Sequence, residues 1–393
     1  MKKLLVIGGG TAGITAASQL LRKTSEFEVT IIEPSDKHYY QPIWTLVGAG
    51  EFNLKDSVKL MADVIPSKAK WVKDFVTEIK PDTNSVVLKS GDTLTYDYLF
   101  VCPGIQINWN KIKGLEEAIG KDGVCSNYDS RYVEKSWEFM QKTKSGKALF
   151  TFPNTPIKCG GAPQKIMYLA EHYFRKAGVR DNVSVEFTSA GEKIFGVEKY
   201  RVALEKIVGK RNIETSFDIN LEEIVADKKI AIYRNVKTGE TVEKSYDFIH
   251  VVPPMSSPDF IKNSPISNSE GWVDVDQFTL QHKKFKNIFS LGDASSLPTA
   301  KTGAAIRKQV PVLVSNFLNF INNKAMSKKY NGYTSCPLVT SYSTVIMAEF
   351  DYDGNPMETF PFDQSKERYS MYLLKKYGIP FIYWNGMLRG YTG

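Results

Sequence analysis

An apolar strand that turns through glycines into a small-residue helix at the N-terminus, a second strand-helix-strand alternation from residue 147, and an apolar strand ending in Gly292-Asp293 together predict an α/β fold with two Rossmann-like dinucleotide-binding domains. In the first element, Leu4 to Ile7 reads as a buried strand that turns sharply at Gly8. Gly10 has no side chain to hold a pyrophosphate away, and Gly13 lets the helix pack on the sheet. Thr11 and Ala12 fall in the first helical turn, whose free N–H groups and partial positive charge favour phosphate. Glu33 closes the next strand, Glu28 to Ile32, twenty residues after Gly13, where its carboxylate can accept from a ribose. An acid there favours FAD or NAD over a 2′-phosphorylated cofactor. The alternative is a glycine turn that only packs.

Tyr98-Leu-Phe-Val-Cys102 is the next buried strand, and Pro103-Gly104 behind it carries the chain past the cofactor. Cys102 reads as a small core residue. The second unit begins at Lys147 to Phe152, continues through a helix over Gln164 to Lys176, and reaches a strand at Val183 to Phe187. Its first turn lacks G-x-G-x-x-G; Pro153, Pro156 and Cys159 stand where a second pyrophosphate would lie. This domain is expected to keep the fold without a nicotinamide site. Strands at Phe248 to Val252 and Ile288 to Leu291 are expected to rejoin the first domain. Asp293 fits either an acceptor for a ribityl chain or a turn with a helix cap, and Lys301 and Thr302 start a helix whose N-terminus either faces the flavin or is simply capped.

These elements divide the chain into 1–110, the first part of the FAD domain; 111–250, the second Rossmann-like domain; 251–325, the returning part of the first; and 326–393, the C-terminal region. That last region is aromatic and basic after Ser365, with five basic residues and one acidic between Lys366 and Gly393. Gly378 and Pro380 are expected to break it. It fits an amphipathic element lying in a membrane interface with its cations at the head groups, a helix packed on the protein's own core, or a contact in a homo-oligomer.

At 393 residues with four cysteines, the chain suits a multidomain enzyme rather than a secreted disulfide scaffold. The net charge of +8 comes with no nucleic-acid motif. No apolar run approaches the roughly 20 residues that span a bilayer, and the four residues between Met1-Lys-Lys and the glycines are too few for a cleavable signal. His38, His172, His250 and His282 show no metal-ligand spacing, so no metal is expected, and His38 reads as structural. Cys159 follows Lys158 and precedes a helix that Pro163 opens, both of which stabilise a thiolate. Cys336 lies 177 residues later; the two fit either unrelated buried thiols or a redox pair.

Thr155-Pro-Ile-Lys-Cys-Gly-Gly-Ala-Pro-Gln-Lys-Ile-Met-Tyr-Leu169, Ser335-Cys-Pro-Leu-Val-Thr340, Ala348-Glu-Phe-Asp-Tyr352 and Glu358-Thr-Phe-Pro-Phe-Asp-Gln-Ser-Lys-Glu-Arg368 resemble the sulfide:quinone oxidoreductases, in the branch that includes the mitochondrial animal enzyme. The resemblance implies the FAD/NAD-linked disulfide-reductase type of fold with a C-terminal membrane and quinone region. It also implies a peripheral membrane flavoenzyme that oxidises hydrogen sulfide and passes two electrons through FAD to a quinone. In that family the redox cysteines match Cys159 and Cys336, joined by a disulfide or trisulfide. Sulfide opens this bridge, leaving a persulfide on Cys336 and a thiolate on Cys159. The outer sulfur then passes to sulfite, a low-molecular-weight thiol or cyanide. Tyr383 and Trp384 are the candidates for the quinone passage, with surface anchoring as their alternative. Cys125 has no counterpart in the animal branch; other branches place a third cysteine near the flavin, and the alternative is a buried structural thiol. The absence of a transit sequence points to the cytoplasmic face of a bacterial inner membrane, or to the mitochondrial inner membrane after loss of a presequence. A type 2 NADH:quinone oxidoreductase and a non-catalytic flavoprotein acting through partner binding are the alternative functions.

Overall fold

The computed structural model describes residues 1–392. Its first sheet is parallel throughout, in the order Ile288–Ser290, Tyr98–Val101, Lys2–Ile7, Phe27–Ile32, Ala69–Val72. Its central strands carry the buried apolar runs Leu4 to Ile7 and Leu99 to Val101, as the middle of a parallel sheet requires. Helix Thr11–Lys23 and helix Gly303–Ile321 pack against each other on it. A three-stranded antiparallel sheet, Val76–Lys80, Ser85–Leu88 and Thr93–Thr95, makes the connection into Tyr98–Val101.

The second sheet is also parallel, in the order Val124–Cys125, Phe248–His250, Gly146–Phe152, Val183–Ser189, Glu214–Ser216. Its helix Ala162–Lys176 follows the cysteine-bearing turn. The expectation that Phe248 to Val252 rejoins the first domain is corrected here: Phe248–His250 is the strand between Val124–Cys125 and Gly146–Phe152. A strand buried on both faces carries no mark of which sheet it enters. The chain crosses back only afterwards, where Met255–Ser256 pairs antiparallel with Gln106–Ile107.

A hairpin, Thr334–Val339 and Val345–Phe350, lays Cys336 against the second domain. The C-terminal segment corrects a second expectation. Gly378 and Pro380 do not break it; helical turns run without interruption through Tyr369–Leu373, Leu374–Gly378, Ile379–Ile382 and Tyr383–Met387. The second and fourth stretches are π-turns, whose wider winding accommodates the proline that supplies no N–H of its own. Among the described residues no helix is long and apolar enough to cross a membrane.

Candidate active site

The first turn is shaped by what its glycines must clear. Gly8 has φ +96°, and a Cβ there would overlap the Cys102 carbonyl; one on Gly13 would overlap the carbonyl of Gly8. Both are close approaches of the protein to itself. Gly10 differs, for a Cβ there meets nothing within 4 Å. No side chain caps the helix behind it, so its first N–H groups face open space. Glu33 is bound to this turn: one carboxylate oxygen accepts from the Gly9 N–H and the other from the Ser35 N–H, both at 2.8 Å. Burial raises its pKa against those two bonds. A cleft of about 750 Å³ opens at the carboxyl ends of the strands, lined by Gly8, Glu33, Val76 and Pro103 among others. Gly104, at φ +82°, likewise faces open space. Open space beside uncapped N–H groups and an acid at the strand end fit the pyrophosphate and ribose of a dinucleotide.

The returning strand delivers Gly292 at φ +72°, its N–H donating to Gln309 Oε1 at 2.9 Å. Burial raises the pKa of Asp293, while the charges of Lys301 and Lys158 oppose that rise. Lys301 Nζ donates to the Asp293 and Ser295 carbonyls at 2.7 and 3.2 Å and lies 3.9 Å over the Trp272 ring. Burial brings its pKa down to about 8. Thr302 caps the helix by accepting from the Ala305 N–H at 3.0 Å, which is the capping alternative.

The second turn folds differently. After strand Gly146–Phe152 the chain bridges Lys158 to Lys301, and the Cys159 N–H donates to the Lys301 carbonyl at 2.8 Å. Cys159 takes the left-handed conformation, φ +56°, uncommon for a side-chain-bearing residue. The turn thus draws the cysteine to the start of the first domain's last helix. The hairpin supplies the other sulfur: Cys159 Sγ and Cys336 Sγ stand 3.9 Å apart as two thiols. Gly161 makes this approach possible, because a Cβ there would overlap Cys336 Sγ and Leu338.

Two lysines absent from the sequence reading complete the site. Lys165, in the first turns of helix Ala162–Lys176, is 3% exposed and places Nζ 3.3 Å from Cys159 Sγ. Lys375, from the C-terminal run, is also 3% exposed and donates to the Pro42 carbonyl at 2.9 Å. The hydrogen bond from Cys336 and the Lys165 ammonium hold the Cys159 thiol well below its usual range, against burial. Cys336, whose proton is shared with Cys159, is raised. Burial pulls Lys165 down, but the two sulfurs more than offset it and the lysine stays protonated. Burial and repulsion from Lys165 bring Lys375 to about 7. The expectation that the basic residues of this segment sit at head groups is therefore corrected for Lys375, which points inward, and Lys376, which pairs with Glu51. For Lys375 only neighbours far away in the chain reveal this role, whereas Lys165 stands six residues after Cys159, and that spacing across the helix start was the available signal.

Tyr128 lies against Ile157 and the flank of the cysteine turn, its buried hydroxyl unpartnered. Cys125 is fully buried, its thiol donating to the Ile249 carbonyl at 3.6 Å and pushed up to about 12 by burial. Cys102 is buried in the first core as expected. Tyr383 is 2% exposed, with its ring 4.4 Å from that of Tyr40 and 5.0 Å from Trp384. Among the described residues no cluster has the makings of a metal site.

A family profile described as pyridine nucleotide-disulphide oxidoreductase matches residues 2–142. The chain is 51% identical over 392 residues to the mitochondrial sulfide:quinone oxidoreductase of Mus musculus, covering 100% of this chain and 87% of that one. It is 50% identical to the mitochondrial enzyme of the same name from Dictyostelium discoideum, covering 99% and 86%. The crystal structure of the sulfide:quinone oxidoreductase of Aquifex aeolicus superposes with a TM-score of 0.84 at 19% identity, covering 100% of this chain and 92% of that one. That last likeness concerns the fold.

Proposed function

The chain belongs to the sulfide:quinone oxidoreductase family and is an FAD-dependent enzyme, and from that premise we propose that it oxidises sulfide at the Cys159–Cys336 pair. The observation that carries this reading is the pair of sulfurs 3.9 Å apart with a buried ammonium 3.3 Å from one of them. FAD, when bound, supplies the two-electron acceptor that is reoxidised by quinone. Gly8, Gly10, Thr11, Ala12, Gly13 and Glu33 would hold its dinucleotide half, and Pro103, Gly104, Gly292, Asp293, Lys301 and Thr302 would surround its remainder.

In the oxidised pair, hydrosulfide attacks Cys336; the bond between the two cysteines breaks, a persulfide forms on Cys336 and Cys159 leaves as a thiolate. Two features of this chain favour that direction. The Lys165 ammonium stabilises the leaving charge on Cys159, and the N-terminus of a fifteen-residue helix stands behind it. A small nucleophile such as sulfite, a low-molecular-weight thiol or cyanide then takes the outer sulfur, and the two cysteines rejoin as two electrons leave. Cys159→Ser tests this reading: sulfide-dependent quinone reduction should disappear while FAD stays bound, and an active variant would refute the assignment.

The C-terminal run gives the means of reaching a lipid-soluble quinone. Tyr369, Leu373, Tyr377 and Phe381 are spaced four apart and are 61, 37, 58 and 68% exposed, a stripe of apolar side chains along one face of continuous helical turns. Such a stripe suits peripheral insertion at a membrane interface, and Tyr383 and Trp384 lie behind it toward the nucleotide turn. The mitochondrial names of the relatives favour the mitochondrial inner membrane over a bacterial one. Replacing Tyr377 and Phe381 by Asp should weaken co-sedimentation with anionic vesicles roughly a hundredfold, from the apolar area lost, while sulfide still reduces the flavin. Unchanged vesicle binding would remove this stripe as the anchor.

A further inference from the structure

The end of the chain is fastened along one face of the first helix. Thr11, Ser18, Gln19 and Arg22 share that face, and each meets a C-terminal residue. Thr11 Oγ1 lies 2.8 Å from the Tyr383 hydroxyl, and Ser18 Oγ donates to the Leu388 carbonyl at 2.7 Å. Gly390 rests on the backbone of Ser18 and Gln19 with no room for a side chain. The Arg22 guanidinium stands 3.7 Å over the Tyr391 ring.

At the phosphate end these contacts close into a ring. His38 is 3% exposed, with Nδ1 3.0 Å from the Gly9 carbonyl and Nε2 2.6 Å from the Tyr383 hydroxyl. A carbonyl only accepts, so Nδ1 carries the proton. Burial keeps the imidazole neutral, with its pKa near 4, so Nε2 accepts from Tyr383. The Tyr383 oxygen then accepts from Thr11. The direction of every bond is determined: Thr11 donates to Tyr383, Tyr383 to His38, and His38 to Gly9. The ring begins and ends on the glycine turn. It also engages the only hydroxyl proton of Thr11, leaving that residue its backbone N–H to offer a phosphate.

We propose that this ring is a latch coupling FAD occupancy at the glycine turn to docking of the C-terminal segment, with His38 and Tyr383 as positioning residues. The proposal rests on the placement of the FAD phosphates at Gly8 to Gly13 given above. Phosphate orders the turn that presents Gly9 and Thr11 to the ring, so FAD favours the docked segment. By linkage the docked segment favours FAD to the same extent. The membrane-facing stripe is then held in place most firmly in the flavin-loaded protein.

The test is the rate at which the holoenzyme releases FAD, read by recovery of flavin fluorescence, with hydrogen exchange over residues 383–392 followed in parallel. Tyr383→Phe removes one hydroxyl and little else. It should speed release roughly tenfold, the scale of one buried hydrogen bond, and speed exchange of the segment. His38→Ala should do the same. Because both act through one ring, the double variant should release FAD no faster than the faster single variant. Release from Tyr383→Phe at the wild-type rate, or effects that multiply in the double variant, would overturn the latch. Gly10→Val separates the two levels. If it leaves FAD release unchanged, the phosphate placement itself falls; if it speeds release and Tyr383→Phe does not, the latch alone falls.

Discussion

The two strand-to-helix turns of this protein, Gly8 to Gly13 and Pro153 to Gly161, occupy equivalent places at the carboxyl ends of two parallel sheets. The first leaves open space at Gly10 beside uncapped N–H groups. The second draws inward, pairs Lys158 with Lys301 across the domains, and fills its centre with Cys159. Both put a negative charge at a helix N-terminus. In the first that charge would be a ligand's phosphate; in the second it would be the Cys159 thiolate, which the nearby Lys165 ammonium favours. The same local architecture leaves room for a ligand in one domain and brings two sulfurs together in the other; on the proposed function, the first turn would serve the cofactor and the second the sulfur chemistry.

That contrast is broken most severely at the open turn. Gly10→Val fills the space beside the helix N-terminus and should weaken FAD binding by roughly a hundredfold or more, since a backbone approach is lost along with several N–H bonds. Equilibrium titration with FAD checks it, and the reactivity of Cys159 toward an alkylating reagent should remain. At the filled turn, Lys165→Met should leave FAD binding intact and slow flavin reduction by sulfide roughly a hundredfold, the scale of losing one buried electrostatic partner. Alkylation of Cys159 followed against pH should show its thiol titrating higher in the variant.

The smallest effect concerns Lys375, whose pKa is brought down to about 7. A lysine is charged below its pKa, so its ammonium is lost as pH rises through that value, and with it one source of stabilisation for the Cys159 thiolate. The ratio of Lys375→Met to wild-type rates cancels the titration of sulfide itself. It should be lowest, by a few-fold, below about 7 and approach one above it. A ratio that does not change with pH would show that this ammonium has no part in the reaction.

Legibility from sequence followed the range of the interactions. The glycine turn and the acid after it were legible because their geometry is determined within one strand, turn and helix. The absence of a second fingerprint is equally local, and Cys159 stands in the turn where it is missing. The meeting of Cys159 with Cys336 is a tertiary contact across 177 residues, and only the family resemblance paired them beforehand. Lys375 meets the sulfur site only through the tertiary fold, and Lys165, although six residues after Cys159, is turned toward it only by the start of its helix. Gly378 and Pro380 misled for a physical reason: they are breakers in α-helical winding, and π-turns beside them keep the helix continuous. Phe248–His250 was assigned to the wrong sheet because an apolar strand buried on both faces suits either.

The most direct test is anaerobic mixing of the FAD-loaded protein with sulfide while flavin absorbance is followed, for wild type and for Cys159→Ser. If the filled turn is the sulfide site, sulfide bleaches the flavin of the wild type, and the variant binds FAD but keeps its oxidised spectrum. Bleaching of the Cys159→Ser flavin at the wild-type rate would contradict that assignment and return the second turn to a structural role.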